Sequence, residues 1–248
     1  MNLSTFFMEN PRAAIAFSGG VDSAYLLYAA LKEGADVTAY YVKSAFQPEF
    51  EYQDALRLAE ELSAKMKVIP IDVLSDETVR KNPADRCYYC KRQIFSRILD
   101  AAAADGYTLI LDGTNASDDL ADRPGVKALR ELQVRSPLLE CGLTKPEIRR
   151  LSKEAGLFTW DKPAYACLAT RIPTSEEITP EKLENTEKAE AFLSSLGFSD
   201  FRVRLFNGCA RLQVKDTQTG LVLEKKEAIL NALKPLYKAV FLDLETRP

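Results

Sequence analysis

Histidine is absent from this chain of 248 residues. Imidazole is therefore unavailable as ligand or general base, and a metal site has to use thiolates, carboxylates, backbone carbonyls or water. No apolar run approaches the roughly 18 residues that a membrane-spanning helix needs. The N-terminal stretch "MNLSTFFMENPRAA" also lacks the basic start and long apolar core of a signal peptide. These absences predict a cytoplasmic protein without a membrane segment.

Cysteine is scarce, and its count of five is odd. In a reducing compartment no disulfide framework is expected, and an odd number of thiols cannot pair completely, so metal binding or reactivity is the better hypothesis. The net charge of −3 argues against a large nucleic-acid surface, although it leaves room for a local basic patch. The remaining composition, 46% hydrophobic and 28% charged, is that of an ordinary globular protein.

Strand and helix patterns alternate in the first part of the chain. The segments "AAIAFS", "VTAYYV", "KVIPIDVL" and "YTLILDG" are typical of strands, and amphipathic helices separate them. This order predicts a Rossmann-like α/β fold with a parallel sheet covered on both faces. From about residue 161 the pattern changes to a proline-bearing loop, a helix, a hairpin, a second helix and a last strand. We therefore expect a nucleotide-binding domain over 1–160 and a smaller α+β domain over 161–248.

A glycine turn joins the first predicted strand to the first amphipathic helix, in "AAIAFSGGVDSAYLLYAAL". Such a turn and the helix N-terminus form a seat for phosphate. It is neither a Walker A loop, whose lysine is missing, nor a dinucleotide motif with three spaced glycines. The segment resembles the pyrophosphate loop of the ATP pyrophosphatase family, and the alternative is a plain tight turn. The resemblance implies that Ser18, Gly19, Gly20 and Ser23 hold pyrophosphate and that Asp22 helps to place Mg²⁺.

A second loop, "DGTNASDDLADRPG", follows the strand "YTLILD". Loops at the carboxyl ends of parallel strands form the ligand crevice of open α/β sheets. Its aspartates are suited to Mg²⁺, although such residues are often only turn formers. Gly113, Thr114 and Asn115 resemble the second nucleotide-contacting motif of the same family, which makes them, with Arg123, candidate nucleotide contacts. The candidate magnesium ligands are Asp118, foremost, with Asp119 and Asp122.

Three cysteines are candidate ligands. Cys87 and Cys90 are three residues apart among arginine, lysine and tyrosine, and Cys167 is carried by the loop "AYACLATRIP". The pair alone is compatible with zinc, an iron–sulfur cluster or thiol chemistry. Three thiolates without histidine fit a four-iron cluster with one open iron better than closed zinc. Cys141 and Cys209 are expected to be small buried hydrophobes without a role.

The segment "FRVRLFNGCARLQV" predicts a hairpin, because Asn-Gly is the strongest two-residue turn signal. The turn sets the register, with Phe206 opposite Cys209. Alternation then places Arg202, Arg204 and Arg211 together on the face opposite the core. Like charges side by side destabilise a sheet, so a bound phosphate is the expected partner. The alternative is an ordinary surface neutralised by carboxylates such as Glu187 or Glu190.

Nearly the whole chain resembles the LarE family of ATP-dependent sulfur transferases. The matching segments are "FSGGVDS", "NPADRCYYCKRQIFSRI", "LDGTNASDDLADRPGVKA", "KPAYACLATRIP" and "SLGFSDFRVR". The resemblance implies adenylation of a carboxylate of pyridinium-3,5-biscarboxylic acid mononucleotide and its conversion to a thiocarboxylate, a step in making the nickel-pincer nucleotide cofactor of lactate racemase. It also implies a homo-oligomer, in known cases a hexamer.

Members of this family differ in the origin of their sulfur. In sacrificial members one cysteine, matching Cys167, gives up its own sulfur. Other members also have cysteines at the positions of Cys87 and Cys90 and hold a [4Fe-4S] cluster through all three. The resemblance therefore implies a cluster here, fed by a sulfide donor. It implies further that Arg202 and Arg204 bind the substrate phosphate, with Arg211 added by the strand pairing, and that Glu190 is an acidic active-site residue.

Three rival functions share part of this pattern. A transfer-RNA thiolase has the same loop and cluster chemistry but is expected to have a strongly basic surface, whereas this chain is acidic. A synthetase that adds ammonia to an adenylated carboxylate has no use for three thiolates. A zinc-stabilised nucleotide-binding module is expected to release no pyrophosphate. We therefore expect a small-molecule substrate and neither nucleic acid nor membrane as partner.

Overall fold

The computed structural model describes residues 2–119 and 124–247. Residues up to 73 together with 85–162 form a first unit, and residues 74–84 together with those from 163 onward form a second. Within the described ranges, no helix combines the length and the apolarity that crossing a membrane requires.

The first unit is built on a parallel sheet of four strands in the order β3-β2-β1-β4. The Rossmann-like α/β prediction is thus confirmed. The last strand is shorter than predicted, because the backbone N–H of Asp112 already donates to the carbonyl of Arg135 instead of continuing the pairing with β1. The strands are β1 (Arg12–Ala16), β2 (Asp36–Lys43), β3 (Lys65–Pro70) and β4 (Ile110–Leu111).

Helices cover both faces of this sheet. Ala13 and Ile15 of β1 pack into one buried cluster and Ala14 packs into another, as alternation along a strand requires. The first helices in chain order are α1 (Leu3–Glu9), α2 (Val21–Lys32), α3 (Glu49–Glu61) and α4 (Glu77–Arg80), of which α4 belongs to the second unit. The others of the first unit are α5 (Arg86–Ala104), α6 (Pro124–Glu131), α7 (Pro137–Glu140) and α8 (Lys145–Glu154).

The second unit packs helices against a three-stranded sheet in the order β5-β6-β7. The predicted hairpin register is confirmed, with Phe206 opposite Cys209 and Arg204 opposite Arg211. Val203 and Leu212 are fully buried, so the predicted core face is also confirmed. The elements are α9 (Pro180–Ser195), β5 (Arg202–Phe206), β6 (Cys209–Gln213), α10 (Thr219–Glu224), α11 (Lys226–Leu233) and β7 (Val240–Leu242).

Residues 74–84 join the second unit through backbone and side-chain hydrogen bonds. The Asn82 amide donates to the carbonyls of Ile172 and Pro173 at 3.3 and 2.8 Å. The N–H of Ile178 donates to the carbonyl of Arg80 at 2.8 Å. This short segment is therefore part of the second unit, with Val79 and Asn82 buried, although about 80 residues of the first unit separate it from the rest.

Candidate nucleotide and sulfur-transfer site

The turn between β1 and α2 requires glycine. Gly19 has a φ of +73°, and a Cβ there would lie 3.0 Å from the Cβ of Ala55. Gly20 is the N-cap of α2, so no side chain of its own closes the helix start. Backbone N–H groups and the positive end of the helix dipole are left for an anion, which is what a phosphate seat needs.

Ser18 and Ser23 lock this loop. The hydroxyl of Ser23 donates to the carbonyl of Gly20 at 3.2 Å, lies 3.0 Å from the Ser18 hydroxyl and accepts from the Ser18 N–H at 3.2 Å. These bonds hold both hydroxyls at the start of α2. The two serines and two glycines predicted to hold pyrophosphate are therefore gathered in one place.

Asp22, on the first turn of α2, is half buried and forms an ion pair with Lys145, the first residue of α8. Burial raises the pKa of the Asp22 carboxyl, the hydrogen bond from Lys145 opposes this shift, and the charge of Asp118 adds to it. Only one carboxylate oxygen meets Lys145. The other, Oδ1, is buried and has no hydrogen-bond partner among the described residues.

The second loop contacts the start of α2. A Cβ on Gly113 would lie 3.0 Å from the backbone nitrogen of Ser23, so only glycine allows this approach. The Thr114 hydroxyl donates to Asp112 at 2.6 Å, and the buried Asn115 donates its N–H to Asp118 at 3.0 Å. The two predicted nucleotide motifs thus lie together, and the roles of their residues, including Asp119, remain predictions. Asp122 and Arg123 lie outside the described residues.

A cavity of about 150 Å³ opens beside Ser18, at the carboxyl ends of β1 and β2. Its walls are mostly apolar and aromatic, and Gln47 and Ser18 supply polar groups. Such a lining suits a flat base at the edge of a parallel sheet. Sequence reasoning missed this cavity, although its position follows the rule for open sheets. Its other lining residues include Phe17, Tyr40, Val42 and Phe95.

The cysteine pair lies on the first turn and a half of α5, because this helix begins at Arg86 and not at Arg92, where the apolar pattern begins. The spacing of three residues places both thiols on one face. Cys87 is exposed and Cys90 is buried. The two thiols can therefore act as adjacent ligands on one rigid element.

Cys167 lies in the second unit, directly before the 3-10 turn Leu168–Arg171. Its carbonyl accepts from the N–H of Thr170 at 3.0 Å and from the Thr170 hydroxyl at 2.8 Å. Arg171 also donates to the carbonyls of Ala166 and Cys167, at 2.6 and 3.2 Å. The backbone on both sides of the Cys167 side chain is therefore tightly held.

Arg171 and Glu190 form a buried, two-pronged ion pair with both N···O distances at 2.9 Å. Glu190 further accepts from the N–H of Val203 at 2.9 Å and from the Tyr165 hydroxyl. Burial raises the pKa of Tyr165, and the charge of Glu190 adds to the shift. These contacts make Glu190 the anchor of the Cys167 loop. Sequence reasoning missed Arg171 and Tyr165, because a local pattern does not show that an arginine is buried.

The arginine face of the hairpin is bound mainly by neutral partners. Arg202 donates to the carbonyls of Phe201 and Ala164, both at 2.6 Å, and Arg204 donates to the carbonyl of Thr170 at 2.7 Å. Burial lowers the pKa of both guanidinium groups, and the nearby Arg171 lowers it further. Carbonyls orient these cations without neutralising them.

Two carboxylates, Asp200 and Asp243, form ion pairs with the basic residues of this face. Arg202, Lys215 and Arg247 share one carboxylate, Asp200, at distances of 3.8, 3.6 and 3.0 Å. Arg211 pairs with Asp243 at 3.4 Å. Glu190, considered above as a neutralising partner, is engaged with Arg171. The surplus of positive charge suits an anion such as phosphate.

The three cysteines predicted to be cluster ligands are divided between the two units. Cys87 and Cys90 belong to the first and Cys167 to the second, so the three-thiolate set remains a prediction. Within either unit, the part of the chain that the structure describes contains no cluster of three Cys, Asp or Glu side chains placed to hold a metal ion.

A strand, a glycine turn and a helix, with a second loop packed on the turn and an aspartate at its edge, form the arrangement expected of an ATP-using enzyme with a pyrophosphate loop. A family model described as queuosine biosynthesis protein QueC matches residues 12–82. A tRNA-specific 2-thiouridylase of Thermotoga is 24% identical over 59% of this chain and 52% of its own.

Relatives that match almost the whole chain include the following two. An uncharacterised protein of Synechocystis is 40% identical over 88% of this chain and 81% of its own. The pyridinium-3,5-bisthiocarboxylic acid mononucleotide synthase of Lactiplantibacillus plantarum is 37% identical over 94% of this chain and 86% of its own. The chain belongs to the LarE family of ATP-dependent sulfur transferases. The predicted family and enzyme class are thereby confirmed.

Proposed function

We propose that this enzyme uses ATP to adenylate a carboxylate of pyridinium-3,5-biscarboxylic acid mononucleotide and then replaces the activated oxygen with sulfur. The observation that carries the proposal is the 37% identity with the Lactiplantibacillus plantarum synthase over 94% of the chain, which spans both units. The 2-thiouridylase relative matches at 24% over 59%, so a tRNA substrate has weaker support.

The chemistry is balanced in two steps. A carboxylate oxygen attacks the α-phosphate of ATP, and pyrophosphate leaves. Sulfide then attacks the acyl carbon and AMP leaves, which gives a thiocarboxylate. If the Cys167 thiolate attacks instead, the first product is a thioester, and loss of the Cα proton with cleavage of the Cβ–Sγ bond then releases the thiocarboxylate and leaves dehydroalanine at residue 167. Sulfide and thiolate arrive already deprotonated, so the absence of histidine is no obstacle.

In the first unit, the residues around the glycine turn receive the nucleotide. Ser18, Gly19, Gly20 and Ser23 bind the departing pyrophosphate. Asp22 and Asp118 would hold Mg²⁺, which fits the unpartnered buried Oδ1 of Asp22 and the nearness of a second carboxylate. When bound, the ion neutralises phosphate charge. The cavity beside Ser18 receives the adenine base.

In the second unit, the arginine face binds the phosphate of the mononucleotide through Arg202, Arg204 and Arg211. Its uncompensated charge and fixed guanidinium groups support this role. Glu190 and Arg171 act as positioning residues, because they hold the Cys167 loop and do not need to touch the substrate. We also propose that the smaller domain predicted over residues 161–248 mediates homo-oligomer formation.

Cys87, Cys90 and Cys167 would hold a [4Fe-4S] cluster. The test of fit is that the first two thiols lie one turn apart on one face of α5. When bound through three thiolates, such a cluster has one iron without a protein ligand, which is open to sulfide from an external donor. The alternative is that Cys167 gives up its own sulfur.

Metal analysis after anaerobic purification separates these sulfur sources. We expect about four irons per chain in the wild type, and loss of iron in each of Cys87→Ser, Cys90→Ser and Cys167→Ser. Cys141→Ser and Cys209→Ser are matched controls that keep it. An iron-free wild type in which Cys167 loses its sulfur during reaction would reject the cluster, and stoichiometric zinc without pyrophosphate release would reject the enzyme mechanism.

The substrate is tested by assay. With the pyridinium mononucleotide, ATP, Mg²⁺ and sulfide, we expect AMP, pyrophosphate and a thiocarboxylate. Thiolation of tRNA in place of the mononucleotide would reject the proposed substrate.

A further inference from the structure

We propose that Lys145 is a nucleotide-binding residue that contacts the β- and γ-phosphates of ATP, and that Asp22 holds its ammonium group in place before the nucleotide arrives. The inference deepens the proposed function and rests on it, since pyrophosphate is the leaving group of the proposed adenylation. Lys145 is distant from the glycine turn in sequence, and none of the motifs above includes it.

Lys145 connects three parts of the first unit. It is the first residue of α8, and its ammonium group pairs with Oδ2 of Asp22 on the first turn of α2. Its backbone N–H donates to the hydroxyl of Ser117, in the second nucleotide loop, at 2.9 Å. One residue thus touches both loops that are expected to surround the triphosphate.

The backbone of Lys145 is fixed by the capping box of α8. The side chain of Glu147 accepts from the N–H of Thr144 at 2.8 Å, and the Thr144 hydroxyl also bonds to it. Glu147 is therefore occupied within its own helix turn. A flexible lysine side chain on a fixed backbone can move from one anion to a nearby one at low cost.

The charge balance at the turn calls for a cation. Asp22 and Asp118 are two neighbouring carboxylates, and ATP brings several further negative charges. The charges of Lys145 and Arg149 both lower the pKa of the Asp22 carboxyl. Arg149 donates to the carbonyls of Trp160 and Lys162 at 2.6 and 2.7 Å. Its guanidinium group is therefore already bound to the backbone, and Lys145 is the cation left to bind phosphate.

The pyrophosphate loop lacks the lysine with which a Walker A loop reaches the β- and γ-phosphates. Lys145 supplies the same chemistry from another helix. Its side chain is 31% exposed, so a ligand can reach it, and its present partner uses only one of three ammonium donors. In the complex, the remaining donors bond to phosphate oxygens while Asp22 keeps its unpartnered oxygen for a metal ion.

The test compares two nucleotides. Because Lys145 contacts only the phosphates that AMP lacks, Lys145→Met should weaken binding of α,β-methylene-ATP with Mg²⁺ about 10- to 100-fold. Binding of AMP should change by less than about twofold. Lys145→Arg, which keeps the charge, should recover most of the affinity. Lys153→Met, at the exposed far end of the same helix, is the matched control and should bind both nucleotides like the wild type. Calorimetric titration of the full chain measures both affinities.

The possible results separate the inference about Lys145 from the proposed function. Unchanged binding of α,β-methylene-ATP, or an equal loss for both nucleotides, would overturn the inference. If circular dichroism shows that Lys145→Met does not fold, the same ratio is measured on Lys145→Gln. A wild type that binds the analogue in a Lys145-dependent way but does not convert the pyridinium mononucleotide would reject the proposed substrate and leave this inference standing. Normal conversion of the pyridinium mononucleotide, together with binding of the analogue that does not depend on Lys145, would reject this inference and leave the proposed function standing.

Discussion

The first unit holds the ion pair Asp22–Lys145 and the second unit holds Glu190–Arg171, and the two pairs differ in exposure. The side chains of the first are 23% and 31% exposed, and those of the second are 5% and 0% exposed. In the first pair one carboxylate oxygen has no partner among the described residues, whereas in the second both oxygens accept two hydrogen bonds.

The difference in exposure and hydrogen bonding indicates that the pair Asp22–Lys145 binds a ligand and that the pair Glu190–Arg171 stabilises the fold. A partly exposed pair with spare donors and acceptors can exchange partners when a nucleotide and a metal ion arrive. A buried pair with every donor and acceptor satisfied has nothing left to offer a ligand, and breaking it leaves an uncompensated charge. We therefore expect substitutions in the first pair to affect binding, and those in the second to affect folding.

The largest expected effect is that of Arg171→Met. It leaves the Glu190 carboxylate buried without its cation and frees the carbonyls of Ala166 and Cys167, so we expect a loss of about 3–5 kcal/mol in the free energy of unfolding. Urea denaturation followed by circular dichroism measures it. Arg150→Met, which removes an exposed pair with Glu154, is the control and should cost less than about 0.5 kcal/mol. Equal stabilities of the two variants would contradict the structural role of the buried pair.

An intermediate effect is expected from Gly113→Ala, which tests the contact between the second loop and the start of α2, where Asp22 of the first pair lies. The new methyl group would lie 3.0 Å from the Ser23 nitrogen and push the second loop off α2. We expect a loss of about 1–3 kcal/mol in stability and weaker ATP binding, measured by thermal unfolding and titration. The matched control is Gly220→Ala, because its Cβ would meet no atom within 4 Å. Full ATP affinity in Gly113→Ala would show that the contact between the loops is dispensable.

The smallest effect on stability is expected from Asp22→Asn. It removes a partly exposed pair, whose contribution is below about 1 kcal/mol, and it relieves the cost of a partly buried carboxylate. The free energy of unfolding should therefore hardly change, while ATP-dependent pyrophosphate release with Mg²⁺ should be lost. Glu190→Gln gives the contrasting case, with a clear loss of stability. The comparison between the two pairs fails if Asp22→Asn destabilises the chain as much as Glu190→Gln does.

Much of the backbone could be predicted from local sequence. Asn207-Gly208 allows one tight turn, and that turn fixes the whole register of the hairpin. Glycines at the end of a buried strand and before a helix likewise predict a phosphate loop. The start of α5 at Arg86 could not be predicted, because the first turns of this helix are polar and aromatic and the apolar pattern begins only at Arg92.

The ion pairs could not be predicted in the same way. Asp22 and Lys145 lie 123 residues apart, and Arg171 and Glu190 lie 19 apart. No local period relates such residues, and a buried arginine looks like a surface arginine until the packing around it is known. The spacing of Cys87 and Cys90 indicates a pair of ligands, but it does not show that both residues lie on the first turns of α5.

The hydrogen bonds of Asn82 and Arg80 have a consequence for the order in which the chain folds during synthesis. Their acceptors and donors at Ile172, Pro173 and Ile178 leave the ribosome some 90 residues later. The second unit cannot close until that stretch has emerged, while most of the first unit is already available to collapse. A stall in translation between these points would leave residues 74–84 exposed to proteases, and a fragment beginning at residue 163 would lack the hydrogen bonds that Asn82 and Arg80 form with the second unit.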